Sequence, residues 1–454
     1  MSATISDLFS KTPFYIAHRG SGDEAPEHTL EAYRYAVSVG AKALELSVQR
    51  TADGVLVCYH DTTLARMTGG VAGAVSDYTY AQLKNKIPVK GQDLLGPGWA
   101  NLEIPLLSKV LEEFYGRVVL FIEPKTTDAT APLQKLLQDL PGATESVVYK
   151  SHVNASSGLA WAQSNGFRTW AYLDSTTTSA QMDAAEANVT YWGIPDVDPS
   201  STTNAQIAAV RARPVVKPII VWEVHRRSRR DELAALGVQG MMTSGYSYVT
   251  SSTPLLKDAH FELGVKPPGS LGIDNTVNQA LRFDSGNGVY FTTAPNRSAV
   301  MGALCPLPAN GYTIFFDMKW DTIPAASLHA GIAFGRTTDD IYRFGQTPTG
   351  DGYHVLIRDD GDLQLYTHTS GVGSGTSIGT ANNGTPDPAN PVAGVWMSYS
   401  VNVTTTGITV SRLDVPKTIT VSDTTRRGGY FHLVGGNTTD VNAVAHFRNV
   451  KVTY

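Results

Sequence analysis

Three consecutive stretches decide the fold: Phe14-Tyr15-Ile16-Ala17-His18-Arg19-Gly20, the segment Thr29 to Val39, and Ala43-Leu44-Glu45-Leu46-Ser47-Val48. The first is a short apolar run closed by a glycine. The second has a helical period, and the third is another strand-like run. A strand, a helix and a strand of these lengths make a parallel βαβ unit, and the alternation continues. Further strands are expected at Val118 to Ile122, Ser146 to Tyr149, Thr169 to Leu173, Tyr191 to Ile194, Pro218 to Val221 and Gly240 to Thr243. Helical segments lie between them at Leu106 to Phe114, Ala131 to Leu137, Ser156 to Ser164, Ser179 to Asn188, Asn204 to Arg211 and Arg229 to Leu236. Eight strands separated by helices over roughly 230 residues predict an α/β fold, a (β/α)8 TIM barrel. A doubly wound open sheet is the competing topology. Thr62 to Asn101 breaks the alternation, is rich in glycine, and reads as an insertion or a lid.

The chain has 454 residues, more than one domain's worth. Lys and Arg total 36 against 41 Asp and Glu, a formal charge of -5, which disfavours nucleic acid and anionic membranes as principal partners. The run Arg226-Arg227-Ser228-Arg229-Arg230 reads as a solvated helix start. No apolar run approaches the roughly 18 residues that a transmembrane segment needs. The first twenty residues lack a basic start and an apolar core, so no secretory signal is expected. Cys58 and Cys305 give no disulfide framework and are expected as buried thiols, and the Asn-X-Ser/Thr triplets at Asn154, Asn296 and Asn402 as chance.

After Thr243 the pattern changes. The expected organisation is a barrel over 1–255, a linker over 256–269 that includes Lys266-Pro267-Pro268-Gly269, and an all-β antiparallel sandwich over 270–454. Its strands alternate polar and apolar residues from Tyr312 to Trp320 through to Ala443 to Thr453, with turns at Asp359-Asp360-Gly361-Asp362 and Thr404-Thr405-Thr406-Gly407.

Chemistry-bearing residues gather where barrel strands should end. They read His18-Arg19-Gly20, Pro26-Glu27-His28-Thr29, Glu45-Leu46-Ser47-Val48, Thr51-Ala52-Asp53-Gly54, His60-Asp61, then Glu123-Pro124-Lys125, Trp222 and Thr243. In order and spacing these motifs resemble the glycerophosphodiester phosphodiesterase family over roughly residues 13 to 250. The resemblance implies a TIM barrel whose catalytic residues are His18 and His60. Arg19, Lys125, Glu27 and Trp222 line the phosphate and substrate site, and Glu45 and Glu123, with Ser47, hold a divalent cation, Mg²⁺ or Ca²⁺. The implied reaction is attack of the glycerol hydroxyl on phosphorus, then opening of the cyclic phosphate by water.

Elementary chemistry asks for the same groups: a base, an acid, and positive charge for the phosphoryl oxygens. Two histidines can share the proton work, and two carboxylates facing one cavity need a cation between them. Three positions depart from the family pattern. Ser47 stands where an Asp ligand is usual. Ser244 stands where an Asp often follows the last strand. Trp222-Glu223-Val224-His225 replaces a motif that often ends in Asn.

In its strand pattern and its closing Phe447-Arg448-Asn449-Val450-Lys451-Val452-Thr453-Tyr454, the second domain resembles concanavalin-like and laminin G-like jelly rolls, which implies glycan binding. Trp320, Trp396, Tyr366 and Tyr430 are the aromatics available to stack on sugars, with core packing the expected role of most of them. Together the halves suggest a metal-dependent phosphodiesterase acting on a glycerophosphodiester in an envelope polymer such as teichoic acid. Its expected place is extracellular or on a virion tail, with the cytoplasm as the alternative. The rival functions are a phospholipase-type activity on lysophospholipid or sphingolipid head groups and a catalytically inactive envelope-binding protein.

Overall fold

Phe14–Ala17 (β1), Ala43–Arg50 (β2), Val119–Pro124 (β3), Val147–His152 (β4), Arg168–Tyr172 (β5), Tyr191–Pro195 (β6), Ile219–Trp222 (β7) and Gly240–Thr243 (β8) form one parallel sheet in the protein's computed structural model. Each pairs with its neighbour in sequence, and β1 pairs with both β8 and β2, so the sheet closes. That closure excludes the doubly wound alternative and makes the eight-stranded barrel. The structure describes residues 3–197, 200–257, 260–266, 281–284, 286–291, 300–304, 311–325, 328–340, 350–382, 390–435 and 443–454. The linker residues Pro267 to Gly269, Cys305 and Asn296 lie outside them. The chain divides into two compact units: Met1–Leu95, Ala100–His225 and Arg229–Thr250 form the first, and the remainder forms the second.

Strand periodicity places the site. Ala43, Val119, Phe121, Val148 and Trp170 fill the barrel interior in one cluster. Leu44, Leu46, Leu120, Ile122, Val147 and Tyr149 face outwards and pack with helix residues such as Val110, Phe114 and Leu133. Because successive side chains alternate, Glu45 and Ser47 follow Ala43 inwards, Glu123 follows Phe121, and Lys150 follows Val148. Glu123 and Lys150 lie in the C-terminal halves of their strands, and Ala17 pairs with Leu44, so Glu45 and Ser47 stand level with and beyond the C-terminal end of β1, the end at which this architecture collects catalytic groups.

The insertion is a packed element. Helices Ala65–Thr68 and Tyr80–Lys86 and the paired segments Val89–Lys90 and Asn101–Leu102 surround a core of Leu64, Met67, Val75, Leu83 and Ile87. The arginine run also departs from expectation. Arg229 is buried because Asp196 lies 2.9 Å from its guanidinium and Glu232 lies 2.8 Å away, so this part of the run is paired rather than solvated.

Gly20 ends the turn after β1 with φ +81°, and a Cβ there would lie 2.9 Å from the backbone and Cβ of Ala32. Gly20→Ala should therefore destabilise the protein by about 1–3 kcal/mol. Chemical denaturation checks this, and an unchanged midpoint would contradict the packing described.

Among the described residues, the second unit contains antiparallel sheets of seven and six strands. Gly311–Trp320 alternates half-buried and buried residues along its whole length. Its Ile314, Phe316, Met318 and Trp320 share one apolar core with Ile332, Phe334 and Val355 of the other sheet. Trp320 is thus a core residue. Trp396 is half-buried, with the Arg448 guanidinium 4.1 Å from its ring centre and the Lys319 ammonium 5.2 Å away. Tyr366 and Tyr430 are half-buried on the six-stranded sheet. No helix among the described residues is long and apolar enough to cross a membrane.

Candidate active site

The turn His18–Gly20 leaves β1 with Arg19 in the left-handed region at φ 52°. A non-glycine residue rarely holds that conformation unless its surroundings impose it. Here the Arg19 amide donates to Glu45 Oε2 at 3.1 Å and the guanidinium donates to Glu27 Oε1 at 2.9 Å. The ring of His18 is buried, with Nδ1 2.7 Å from Glu223 Oε1 and 2.9 Å from Ser244 Oγ. Arg19 Nε donates to His18 Nε2 at 3.2 Å. That donor fixes Nε2 as an acceptor, so Nδ1 carries the hydrogen and gives it to Glu223. Burial alone would raise the Glu223 carboxyl, but His18, His225 and Arg19 outweigh it and hold the group well below the usual range.

His60 follows the hairpin strand Leu56–Cys58, and its Nδ1 lies 3.0 Å from Asp61 Oδ1. Arg66 clamps both Asp61 oxygens at 2.6 and 2.9 Å and reaches both oxygens of Glu27 at 2.7 and 3.0 Å. Glu27 is held down to about 2 despite burial, because Arg19 and Arg66 both stabilise its charge. Both its oxygens are engaged by those two arginines.

Burial lowers the pKa of His60, Arg19 and Lys125 lower it further, and Asp61 and Glu45 pull the other way. The net shift is downward, so the neutral imidazole persists to lower pH than that of a free histidine. Lys125→Gln removes one depressing charge. The limb of the kcat/KM–pH profile that reports His60 should then move to higher pH, whichever proton-transfer role His60 has. An unmoved midpoint in the variant would contradict this electrostatic arrangement.

The expected metal ligands come together, but with a group the sequence reading missed. Glu45 and Ser47 on β2 and Glu123 on β3 are all buried. Lys150 on β4 donates to Glu45 Oε1 at 2.8 Å and to Glu123 Oε2 at 2.6 Å. Ser47 Oγ donates to Glu45 Oε1 at 3.1 Å. Tyr172 donates to Glu123 Oε1 at 2.5 Å, and Lys125 reaches Glu123 Oε2 at 3.1 Å. Each of the four carboxylate oxygens therefore already accepts a hydrogen bond. No group of three or more His, Cys, Asp or Glu suited to a metal occurs among the described residues. This donor set does not fit a divalent cation: Ser47 is a neutral oxygen directed at Glu45, and an ammonium sits between the two carboxylates.

Trp222 lies against Tyr172, with ring centres 5.6 Å apart, and its buried Nε1 has no hydrogen-bond partner among the described residues. The groups absent from the expected set are Lys150, Tyr172, Glu223, Ser244 and Arg66. Lys150 and Tyr172 had a readable signal, since both sit at the inward-facing parity of their strands.

The glycerophosphoryl diester phosphodiesterase family profile matches residues 18–244, half of the chain. A glycerophosphodiester phosphodiesterase of Bacillus subtilis is 34% identical over 131 residues, covering 27% of this chain and 43% of its own length. One from Caldanaerobacter subterraneus is 40% identical over 97 residues, covering 21% of this chain and 38% of its own. The chain thus matches less than half the length of either relative. The crystal structure of an Agrobacterium tumefaciens glycerophosphodiester phosphodiesterase aligns over 52% of this chain and 99% of its own, at 24% identity and a TM-score of 0.42.

Proposed function

Because this chain belongs to the glycerophosphoryl diester phosphodiesterase family, we propose that it cleaves glycerophosphodiesters, with His18 and His60 moving the protons. The observation that carries the reading is the pair of imidazoles, each tied through Nδ1 to a carboxylate, in a mouth that also holds Arg19 and Lys125. Nε2 of each ring is then the atom for proton transfer. One histidine takes the proton of the attacking glycerol hydroxyl and the other gives a proton to the leaving alcohol oxygen. Opening of the cyclic phosphate by water reverses these roles. Phosphoryl transfer needs mainly positioning and charge stabilisation, and the two cations supply the latter. The test is turnover of a chromogenic glycerophosphodiester, followed as release of the alcohol. A folded protein without turnover would overturn the assignment.

The finer reading is a polymeric substrate. A second unit of two antiparallel sheets sharing one core suits a jelly-roll glycan-binding module, which would hold the barrel against a glycerol-phosphate polymer outside the cell or on a virion tail. Tyr366 and Tyr430 support it better than Trp320, which is in the core, or Trp396, whose ring is covered by Arg448. Sedimentation of the full chain with envelope material, before and after extraction of teichoic acid, tests it. Equal binding to both preparations would argue against a teichoic acid ligand.

A further inference from the structure

Enzymes of this family generally depend on a divalent cation, and the site carries its own cation instead. We infer that the Lys150 ammonium takes the place of that metal and donates to a phosphoryl oxygen of the substrate, so that this chain hydrolyses phosphodiesters without a resident metal ion. The inference rests on the phosphodiesterase reading above.

Geometry carries it. The Nζ distances of 2.8 and 2.6 Å to Glu45 and Glu123 are those of charge-assisted hydrogen bonds, and the two acceptors sit on adjacent strands. Ile122 pairs with Tyr149 in register, so the next residues along, Glu123 and Lys150, lie side by side in the closed barrel. The ammonium also lies over two aromatic rings: its Nζ is 5.5 Å from the ring centre of Trp170 and 5.2 Å from that of Tyr172. Lys150 is 6% exposed, so this is a built site rather than a mobile surface lysine.

The remaining oxygens reinforce the argument. Glu45 Oε2 accepts the Arg19 amide and Glu123 Oε1 accepts the Tyr172 hydroxyl. A divalent ion would have to displace these donors and then lie against a second, buried positive charge. An ammonium has three hydrogens, and two are given to the carboxylates. The third is available for a phosphoryl oxygen in the mouth where Lys125 and Arg19 already supply positive charge. The Asp-to-Ser change at position 47 and Lys150 are then two halves of one exchange, in which a carboxylate ligand is lost and a fixed cation is gained.

The experiment has an activity arm and a binding arm. Purified full-length protein is dialysed against EDTA, its metal content is measured by mass spectrometry, and Mg²⁺ and Ca²⁺ are titrated calorimetrically. The expected results are no stoichiometric metal, no binding heat, and a diesterase rate that changes less than about two-fold on chelation. Lys150→Gln should lower kcat by about 10²-fold or more, the range found when a charge-stabilising donor is removed, with the circular dichroism spectrum unchanged. The double variant Ser47→Asp/Lys150→Gln should acquire calorimetric binding of Mg²⁺ or Ca²⁺ that wild type lacks. Stoichiometric binding to wild type, or loss of rate on chelation restored by either ion, overturns the inference. Should Lys150→Gln not fold, the wild-type titration and chelation arms still decide it. If wild type neither turns over nor binds metal, the diesterase reading fails while the exchange of metal for lysine at the site stands.

Discussion

Replacing His18 by alanine should lower kcat by about 10²- to 10⁴-fold while leaving the fold intact, and His60→Ala should do the same. The expectation for His18 rests on its orientation. Glu223 and Ser244 hold Nδ1 from one side, and Arg19 addresses Nε2 from the other. Removing the ring takes away a proton carrier but leaves β1 and its pairing with β8 untouched. His60 is less buried and is oriented by Asp61, itself clamped by Arg66. Steady-state kinetics on the folded variants check both losses. A rate within a few-fold of wild type for either would remove that histidine from the reaction.

The second large effect is on stability. Glu45→Ala should cost about 3–5 kcal/mol, the range for breaking a buried ion pair by deleting one partner. Glu45 is fully buried, and its loss strands the Lys150 ammonium, the Ser47 hydroxyl and the Arg19 amide together. Lys150 would keep only Glu123 as a carboxylate partner. Equilibrium denaturation followed by near-ultraviolet circular dichroism measures the difference. A change below about 0.5 kcal/mol, the level of an ordinary surface substitution, would show that the pair is not the buried cluster described.

The barrel strands were legible because each is a short apolar run bounded by turn residues, and alternation within β2 already told that Glu45 and Ser47 share a face. Lys150 was missed for a local reason. The strand was read from Ser146 to Tyr149 and so stopped one residue short, although β4 runs on to His152. Continued by one position, the parity of Val148 would have sent a lysine into the barrel interior. Glu223 was seen only as a departure from the family pattern. Its contact with His18 depends on β7 and β8 lying side by side next to β1, which is a property of the closed sheet. Ser244 then joins the same contact, donating to Glu223 Oε2 at 2.6 Å, so a carboxylate just past β7, two strands away from β1, serves the histidine.

In the second unit the long strands showed their alternation, but Thr376–Ala381 did not. It is an edge strand of the six-stranded sheet with no fully buried residue, and its two core-contacting apolar residues, Ile378 and Ala381, are three apart, so the strand carries no period of two to read. The arginine run misled for the opposite reason. Its composition looked solvated, but the carboxylates of Asp196 and Glu232 bury one member of it.

The most direct measurement is phosphorus NMR of a glycerophosphodiester incubated with wild-type protein and with His18→Ala. Wild type should convert the diester to a monoester through a transient cyclic phosphate, and the variant should leave the diester unchanged over the same interval. An intact diester with the folded wild type, or equal conversion by both proteins, would contradict the account.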